Sequence, residues 1–203
     1  MAMNVDRIVE AGMAVFAEVG YERLSMRLVA SRLGVQAASL YYHVRNKGML
    51  VALMADRVAQ EGLDAGTAAL AGLPADATPR DRVVAQLAAL RVSLLRHQGS
   101  ARLLSSSPGT LGPGALGLME RLLATLADAG LPDDDAVVVA DVLLSYVTGF
   151  VTQEQAEPVQ QPLRPEPVVP ADAYPRTAAL AGRFDDDAMF TRGVRQLAAL
   201  VER

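Results

Sequence analysis

The side chains of this sequence that could do chemistry are concentrated in a short segment near the N-terminus. Between Arg23 and Ala55 there are five basic residues and no acidic one, although the formal net charge of the 203-residue chain is −4. One basic patch on an acidic protein indicates a polyanionic partner at one end only. The simpler alternative is an ordinary solvated face. The basic residues are Arg23, Arg27, Arg32, Arg45 and Lys47.

The same segment carries side chains suited to contacting DNA. Gln36 and Ser39 can hydrogen-bond base edges or phosphates, and the small side chain of Ala37 permits close approach to a groove. Lys47, the only lysine, lies at the predicted start of a helix, where its side chain and the backbone N–H groups can both meet a phosphate. The residues predicted to contact DNA are Arg27, Gln36, Ala37, Ser39, Tyr41, Tyr42, His43 and Lys47.

The two adjacent tyrosines are not equivalent in this prediction. Tyr41, Tyr42 and His43 can reach backbone phosphates, but neighbouring residues on a helix point about 100° apart, so Tyr41 and Tyr42 do not share one role. A structural alternative places Leu40, Val44 and one tyrosine in the core of a three-helix unit. On that alternative Tyr42 packs inward and does not touch DNA.

The composition argues against several other kinds of site. The chain has no cysteine, which excludes disulfides, thiolate metal sites and cysteine nucleophiles. Its two histidines, His43 and His97, lie in distant segments without clustered carboxylates, a poor arrangement for a metal site. The sequence Gly112–Gly117 matches the GxGxxG pattern, but no strand precedes it, so we interpret it as a loop between helices. We therefore expect no enzyme, no metal and no other cofactor.

No secretory signal is visible, and the most apolar run, Ala136–Val151, is interrupted by Asp141. That run is too short to span a bilayer and predicts a buried helix, so we expect a soluble cytoplasmic protein without a membrane partner. A charge within this apolar helix needs a partner or a shifted pKa. The alternatives for Asp141, namely a ligand pocket, a subunit interface or solvent, stay open.

Apolar residues recur with a helical period along most of the chain, which predicts an all-α fold. Gly20 and Gly34 end the first two helices, and Ser25 can cap the second. The Ala-, Gly-, Asp- and Pro-rich stretch 62–79 is interpreted as a linker. A long loop is predicted at 156–170, because five prolines there prevent a continuous helix. The remaining helices are predicted at about 37–44, 47–61, 83–95, 101–104, 115–129, 133–151, 172–181 and 185–201.

Three short helices joined by glycine turns, with the basic patch over the second to fourth, form a helix-turn-helix pattern in which the third enters the major groove. The segment Leu24–Leu50, LSMRLVASRLGVQAASLYYHVRNKGML, resembles the DNA-binding domain of the TetR family of transcriptional regulators. The resemblance is strong over about the first sixty residues. Beyond them it is weaker and rests on helix order, Gly130, Gly149 and the long loop.

The resemblance implies a helix-turn-helix domain at 1–47 and a ligand-binding and dimerisation domain at 48–203, joined by the helix at 48–61. In the family, the eighth and tenth helices form a four-helix bundle with those of a second subunit. Small residues on both helices permit that packing here. The interface residues implied are Thr148, Gly149, Gly193 and Leu197.

The resemblance also implies a ligand pocket among the fifth to eighth helices. Its wall would be mostly aliphatic with a few amide and hydroxyl groups, which suits a bulky, moderately polar organic molecule. The implied pocket residues are Gln86, Leu90, Leu104, Met119, Leu122, Leu123, Ser145, Tyr146 and Gln153.

Members of the family that bind tetracycline hold it as a magnesium chelate. The resemblance places their metal-coordinating histidine at Leu104, a second pocket histidine at Ser145 and a nearby acid at Gln153. Leucine cannot coordinate magnesium and a neutral glutamine offers it no charge, so we predict a ligand bound without metal.

Together these features predict a regulator, more specifically a repressor, that binds a pseudo-palindromic operator as a homodimer and is released by a small organic ligand. One alternative is an activator of the same fold. Another is a helical small-molecule-binding or enzymatic protein without DNA function, against which the acid-free basic segment argues.

Overall fold

The computed structural model describes residues 3–105, 112–156, 170–180 and 185–202. All regular structure in these ranges is helical, which confirms the predicted all-α fold. Most of the loop predicted at 156–170 lies outside the described residues. The helices are α1 (Val5–Arg23), α2 (Met26–Leu33), α3 (Ala37–Tyr41), α4 (Lys47–Ala71), α5 (Pro79–Leu95), α6 (Ser100–Ser105), α7 (Pro113–Asp128), α8 (Asp133–Glu154), α9 (Pro175–Leu180) and α10 (Asp186–Ala198), with a final 3-10 turn at Ala199–Glu202.

The first helices have the ends that the sequence predicts. Gly20 adopts a φ of 73° and interrupts α1 near its end, and Gly34 adopts a φ of 68° directly after α2. The Ser25 hydroxyl accepts the Leu28 N–H at 3.3 Å and so caps α2. Helix α3 is shorter than predicted, because it ends at Tyr41. These ends place α2 and α3 as a helix-turn-helix against α1 and the start of α4.

The linker predicted at 62–79 is wrong for its first ten residues, because α4 continues to Ala71. Gly62 and Gly66 do not break the helix. Gly62 lets α5 approach closely, because a Cβ there would lie 2.5 Å from the Leu90 Cδ1, whereas a Cβ at Gly66 would make only an ordinary contact with the Gln86 side chain at 3.8 Å. A single 25-residue helix therefore joins the helix-turn-helix to the C-terminal body.

The C-terminal body packs α5, α6 and α7 against α4, and α8 in turn packs against α5, α6 and α7. Within the described ranges, α8 alone is long and apolar enough to cross a membrane by length and composition. It exceeds the apolar run 136–151 by three residues at each end. Its buried side packs on α5, α6 and α7, but only 28% of its most apolar 18-residue window is buried in the described chain, so the helix predicted to be buried is buried on one side only.

Candidate DNA-binding surface and ligand cavity

The apolar residues of α3 and the following turn lie in the core. Leu40 and Val44 have no exposed surface. This confirms the alternative prediction that these two residues belong to the core of the three-helix unit. Tyr42 is 88% exposed and does not pack inward. A large aromatic side chain held on the surface beside basic residues is available to a phosphate backbone or a base. Its ring contacts His43 edge-on, with centroids 5.2 Å apart.

The residues predicted to contact DNA lie on this helix-turn-helix and the start of α4. Arg27, Gln36, Ser39 and Tyr41 are exposed, and Ala37, His43 and Lys47 are half-buried. Arg32 is engaged elsewhere in the same domain, because its guanidinium pairs with Glu18 at 2.5 Å.

Lys47 is held in place by Tyr21 of α1, a residue that the sequence reasoning did not single out. The ammonium donates to the Tyr21 carbonyl oxygen at 2.7 Å and lies 4.6 Å from the centre of its ring. One of the three ammonium donors is thereby used, and two remain for an external acceptor. The Asn46 side chain caps α4 through the Met49 N–H at 2.8 Å. The arrangement presents a positioned cation at the positive end of a long helix.

A cavity of about 490 Å³ lies between α4, α6, α7 and α8. Of the predicted pocket residues, Leu104, Met119, Leu123 and Ser145 line it. Its size suits a drug-sized organic molecule. The wall is completed by Ala55, Asp56, Ser105, Gly112, Ala115, Leu116, Leu118, Glu120, Asp141, Leu144 and Thr148.

The other five predicted pocket residues do not line this cavity. The Gln86 amide donates to the Thr125 hydroxyl at 2.7 Å. Leu90 and Leu122 are buried in the core, Tyr146 packs toward α10, and Gln153 is exposed at the end of α8.

The cavity wall also holds three acidic residues, Asp56, Glu120 and Asp141, none of which is among the pocket residues that the family resemblance implies. Asp56 lies on α4 and accepts the Ala115 N–H at 3.0 Å, and no local sequence feature pointed to it. Asp141 was singled out by its position in an apolar helix, and the structure places it in the cavity wall with an exposed side chain.

The GxGxxG sequence is explained by the packing of α7 on α4. Two of its glycines are helical, so the loop interpretation is wrong for Gly114, while Gly117 lies within the helix predicted at 115–129. A Cβ at Gly114 would lie 2.4 Å from the Asp56 carbonyl oxygen and 2.8 Å from the Gln60 nitrogen. One at Gly117 would lie 2.6 Å from the Leu63 Cδ2. The glycine spacing therefore allows two helix backbones to touch beside the cavity.

This packing gives a testable expectation for Gly114→Val. The added Cβ meets backbone atoms that cannot rotate away, so α7 must move from α4, at a cost of about 1–3 kcal/mol in unfolding free energy. Gly130→Asn serves as the control, because Asn tolerates the positive φ of 85° at that exposed helix end. Urea unfolding would compare the two variants. Equal stabilities for Gly114→Val and wild type would show that α7 does not depend on this close approach.

The cavity is connected to the DNA-binding domain at the α5–α6 junction. Gly99 has a φ of 77°, and a Cβ there would lie 2.5 Å from the Phe16 ring of α1. The Gln155 amide, just after α8, fixes the junction by accepting the Gly99 N–H at 2.9 Å and donating to the His97 carbonyl at 3.0 Å. Leu104 and Ser105 of the following α6 line the cavity, so α6 lies between the cavity and this contact with α1.

Two family profiles match most of the chain. Residues 8–54 match the family described as bacterial regulatory proteins, tetR family, and residues 72–197 match the tetracyclin repressor-like C-terminal domain. The chain belongs to the TetR family of transcriptional regulators. This confirms the family predicted from Leu24–Leu50, and it places the protein among DNA-binding regulators and not among enzymes.

Individual relatives agree over both domains. An HTH-type transcriptional regulator of Saccharopolyspora erythraea is 34% identical over 97% of this chain and 84% of its own length. The class A tetracycline repressor protein from transposon 1721 of Escherichia coli is 29% identical over 95% of this chain and 87% of its own. The crystal structure of ActR from Streptomyces coelicolor in complex with (S)-DNPA has a TM-score of 0.76 at 27% identity, covering 100% of this chain and 98% of that one.

One face of this TetR-family regulator, on α8, is apolar and exposed. Val138 and Val142 are 61% and 40% exposed and share this face with the exposed Ser145 and Gly149, and a Cβ at Gly149 would have no atom of the described chain within 4 Å. Among the other residues predicted at a dimer interface, Thr148 and Leu197 are half-buried. Contiguous apolar surface of this kind marks an interaction site.

Gly193 of α10 has a close contact within the chain that the sequence did not predict. A Cβ there would lie 2.0 Å from the Tyr146 hydroxyl oxygen. The Tyr146 ring lies beside Phe150 and Phe190, with centroids 5.7 and 5.8 Å away. Burial of this ring raises the pKa of the Tyr146 hydroxyl above its usual value. The small size of Gly193 therefore already serves the packing of α10 on α8.

Proposed function

We propose that this regulator represses transcription in the cytoplasm by binding a pseudo-palindromic operator as a homodimer, and that a small organic ligand in the cavity releases it. The observation that carries the proposal is the acid-free α2–α3 surface, with Tyr42 almost fully exposed beside Gln36, Ser39 and Tyr41. A five-residue helix with exposed polar side chains suits insertion into a major groove.

A homodimer is supported by the exposed apolar face of α8. Two copies related by a two-fold axis would bury this face on itself and present two α3 helices to two half-sites. Thr148, Gly149 and Leu197 remain the proposed interface residues, with Val138 and Val142 added from the structure.

A response to ligand is supported by one connection from the cavity to α1 of the helix-turn-helix domain and one to α4, which joins the two domains. Helix α6 reaches Phe16 through Gly99, and α7 touches the backbone of α4 through Gly114. A ligand that favours one arrangement of α6 and α7 would favour dimers with one distance between their two α3 helices. That change in distance would alter the affinity for operator. The relatives support this role, since one is a tetracycline repressor protein and ActR is seen with (S)-DNPA. We propose that the ligand here binds without metal, because the cavity has Leu104 and Ser145 where a metal-bound drug would need histidines.

The function is tested by operator binding and by a reporter gene. In a gel-shift assay with DNA upstream of its own gene, we expect a specific complex that a non-cognate fragment of equal length does not displace. Deleting the regulator should raise expression of the reporter. A fall in expression would instead identify an activator, and the absence of any specific complex would contradict the proposed function.

Lys47→Ala should weaken binding to all DNA sequences about equally and flatten the dependence of log K on log salt by about one unit per half-site. The reason is that a phosphate contact releases a counterion but carries no base information. Arg96→Ala, at an exposed position at the end of α5, is the matched control and should keep the wild-type slope. A Lys47→Ala protein with an altered consensus and an unchanged salt slope would contradict the phosphate contact.

A further inference from the structure

The charge inside the ligand cavity has one sign. Of the fifteen residues that line it, Asp56, Glu120 and Asp141 carry carboxylates and none is lysine, arginine or histidine. The rest of the wall is aliphatic or small, with three hydroxyl groups. The cavity therefore combines an apolar surface with negative charge.

The three carboxylates are not equally free to meet a ligand. Asp56 accepts the Ala115 N–H at the start of α7, so the positive end of that helix already compensates part of its charge. Glu120 is exposed on α7. The Asp141 side chain makes no hydrogen bond or ion pair with any other residue of the described ranges, and it shares a helix face with Leu144, Ser145 and Thr148, all of which line the cavity. Within the described ranges neither Glu120 nor Asp141 has a side-chain partner, and Asp141 is the one that lies beside the cavity hydroxyls of Ser145 and Thr148.

We propose that the cavity binds an organic cation, an apolar body carrying a protonated amine or quaternary ammonium group, with that charge beside Asp141. An anionic ligand would meet three carboxylates without a compensating cation. A neutral ligand that covers Asp141 would remove water from an unpaired charge. A cation avoids both costs and leaves Ser145 and Thr148 to hydrogen-bond a polar part of the body. This inference rests on the proposed role of the cavity as the ligand site.

Three fluorescent probes with one body and different end charges test the inference. Dansylcadaverine ends in an ammonium group, its N-acetyl derivative is neutral, and 6-(dansylamino)hexanoic acid ends in a carboxylate. Titration of the full-length protein in buffer with EDTA should give a Kd for the ammonium probe about tenfold below that of the neutral probe, the size expected for one charge-assisted contact. The carboxylate probe should bind more weakly than both.

The variant Asp141→Asn keeps the shape of the side chain and removes its charge, so it should abolish the preference for the ammonium probe. Asp76→Asn, in the exposed segment between α4 and α5, is the matched control and should keep that preference. Binding of all three probes with equal Kd, binding of none, or a preference that survives Asp141→Asn would overturn the inference. A gel shift on the same preparations tests operator binding separately. A protein that binds operator without cation preference refutes only this inference, and one that prefers the cation without binding operator refutes only the proposed function.

Discussion

Gly149→Arg is expected to convert the proposed dimer into a folded monomer and to weaken operator binding by a factor of about a hundred or more. Position 149 is exposed, and a side chain there meets no atom of the described chain within 4 Å, so the protomer itself can accept arginine. Across a two-fold axis, however, each arginine would enter the apolar face of α8, next to its symmetry mate or against valines. An unpaired charge in such an interface is costly.

The loss of affinity follows from linkage between half-sites. In a dimer the second α3 binds at the high effective concentration set by the first, and a monomer loses that advantage. Sedimentation should show the monomer, circular dichroism should show an unchanged helix content, and a gel shift should show the weaker complex. Ala88→Arg, on the exposed side of α5, is the control and should stay dimeric. A dimeric Gly149→Arg protein would remove α8 from the interface, and a monomer with full affinity would contradict the two half-sites.

The choice of Gly149 in place of Gly193 depends on the structure. A larger residue at Gly193 would collide with the Tyr146 ring of its own chain, so loss of the dimer could not be separated from loss of packing between α8 and α10. From the sequence the two glycines are equivalent, since each lies on an amphipathic helix of the predicted interface. The contact partner of Gly193 lies 47 positions away, and sequence spacing does not show it.

The sequence predicted the glycines that end helices but not those that allow two helices to pack closely. Gly20, Gly34, Gly99 and Gly130 have φ between 68° and 85° and end or interrupt helices, as expected. Gly62 and Gly114 lie inside helices and serve close packing, so there the prediction of a linker and of a loop is wrong. Both uses exploit the missing Cβ. A glycine that ends a helix can be told from one that packs inside a helix only by the periodicity of the residues around it. At 62–71 that periodicity did not identify the helix.

The candidate sites differ in the same way. The DNA-binding residues lie within one local segment whose caps and turns the sequence specifies, so their joint exposure could be predicted. The cavity is built from helices that are distant in the sequence, and small rotations decide which side chains face it. Gln86 was expected in the cavity wall. Its amide instead donates a buried hydrogen bond to the hydroxyl of Thr125, 39 residues further along the chain. Asp141 could be singled out because a charged side chain on an apolar helix needs solvent or a polar partner, since burying it alone is costly.

The ion pair of Arg91 joins three helices of the C-terminal body. Its guanidinium on α5 donates from Nε to Glu154 at 2.8 Å, makes a second bond to the same carboxylate at the end of α8, and pairs with Asp187 of α10 at 2.7 Å. It also lies 4.8 Å from the centre of the Phe190 ring. The bonds to Glu154 are the main cause that raises the pKa of Arg91 above its usual value, so it stays charged throughout the physiological range.

Arg91→Met should therefore lower the unfolding free energy by about 3–5 kcal/mol, because it leaves the Glu154 carboxylate, 11% exposed, without its partner. Arg57→Met is the control, since its pair with Glu61 is exposed at 53% and 25% and is worth less than about 1 kcal/mol. Urea unfolding at one fixed protomer concentration compares them. Arg91→Met combined with Glu154→Leu should recover much of the loss, because the stranded charge is then gone. A single variant as stable as the Arg57→Met control, or a double variant less stable than the single one, would show that this pair does not hold α8 and α10 on α5.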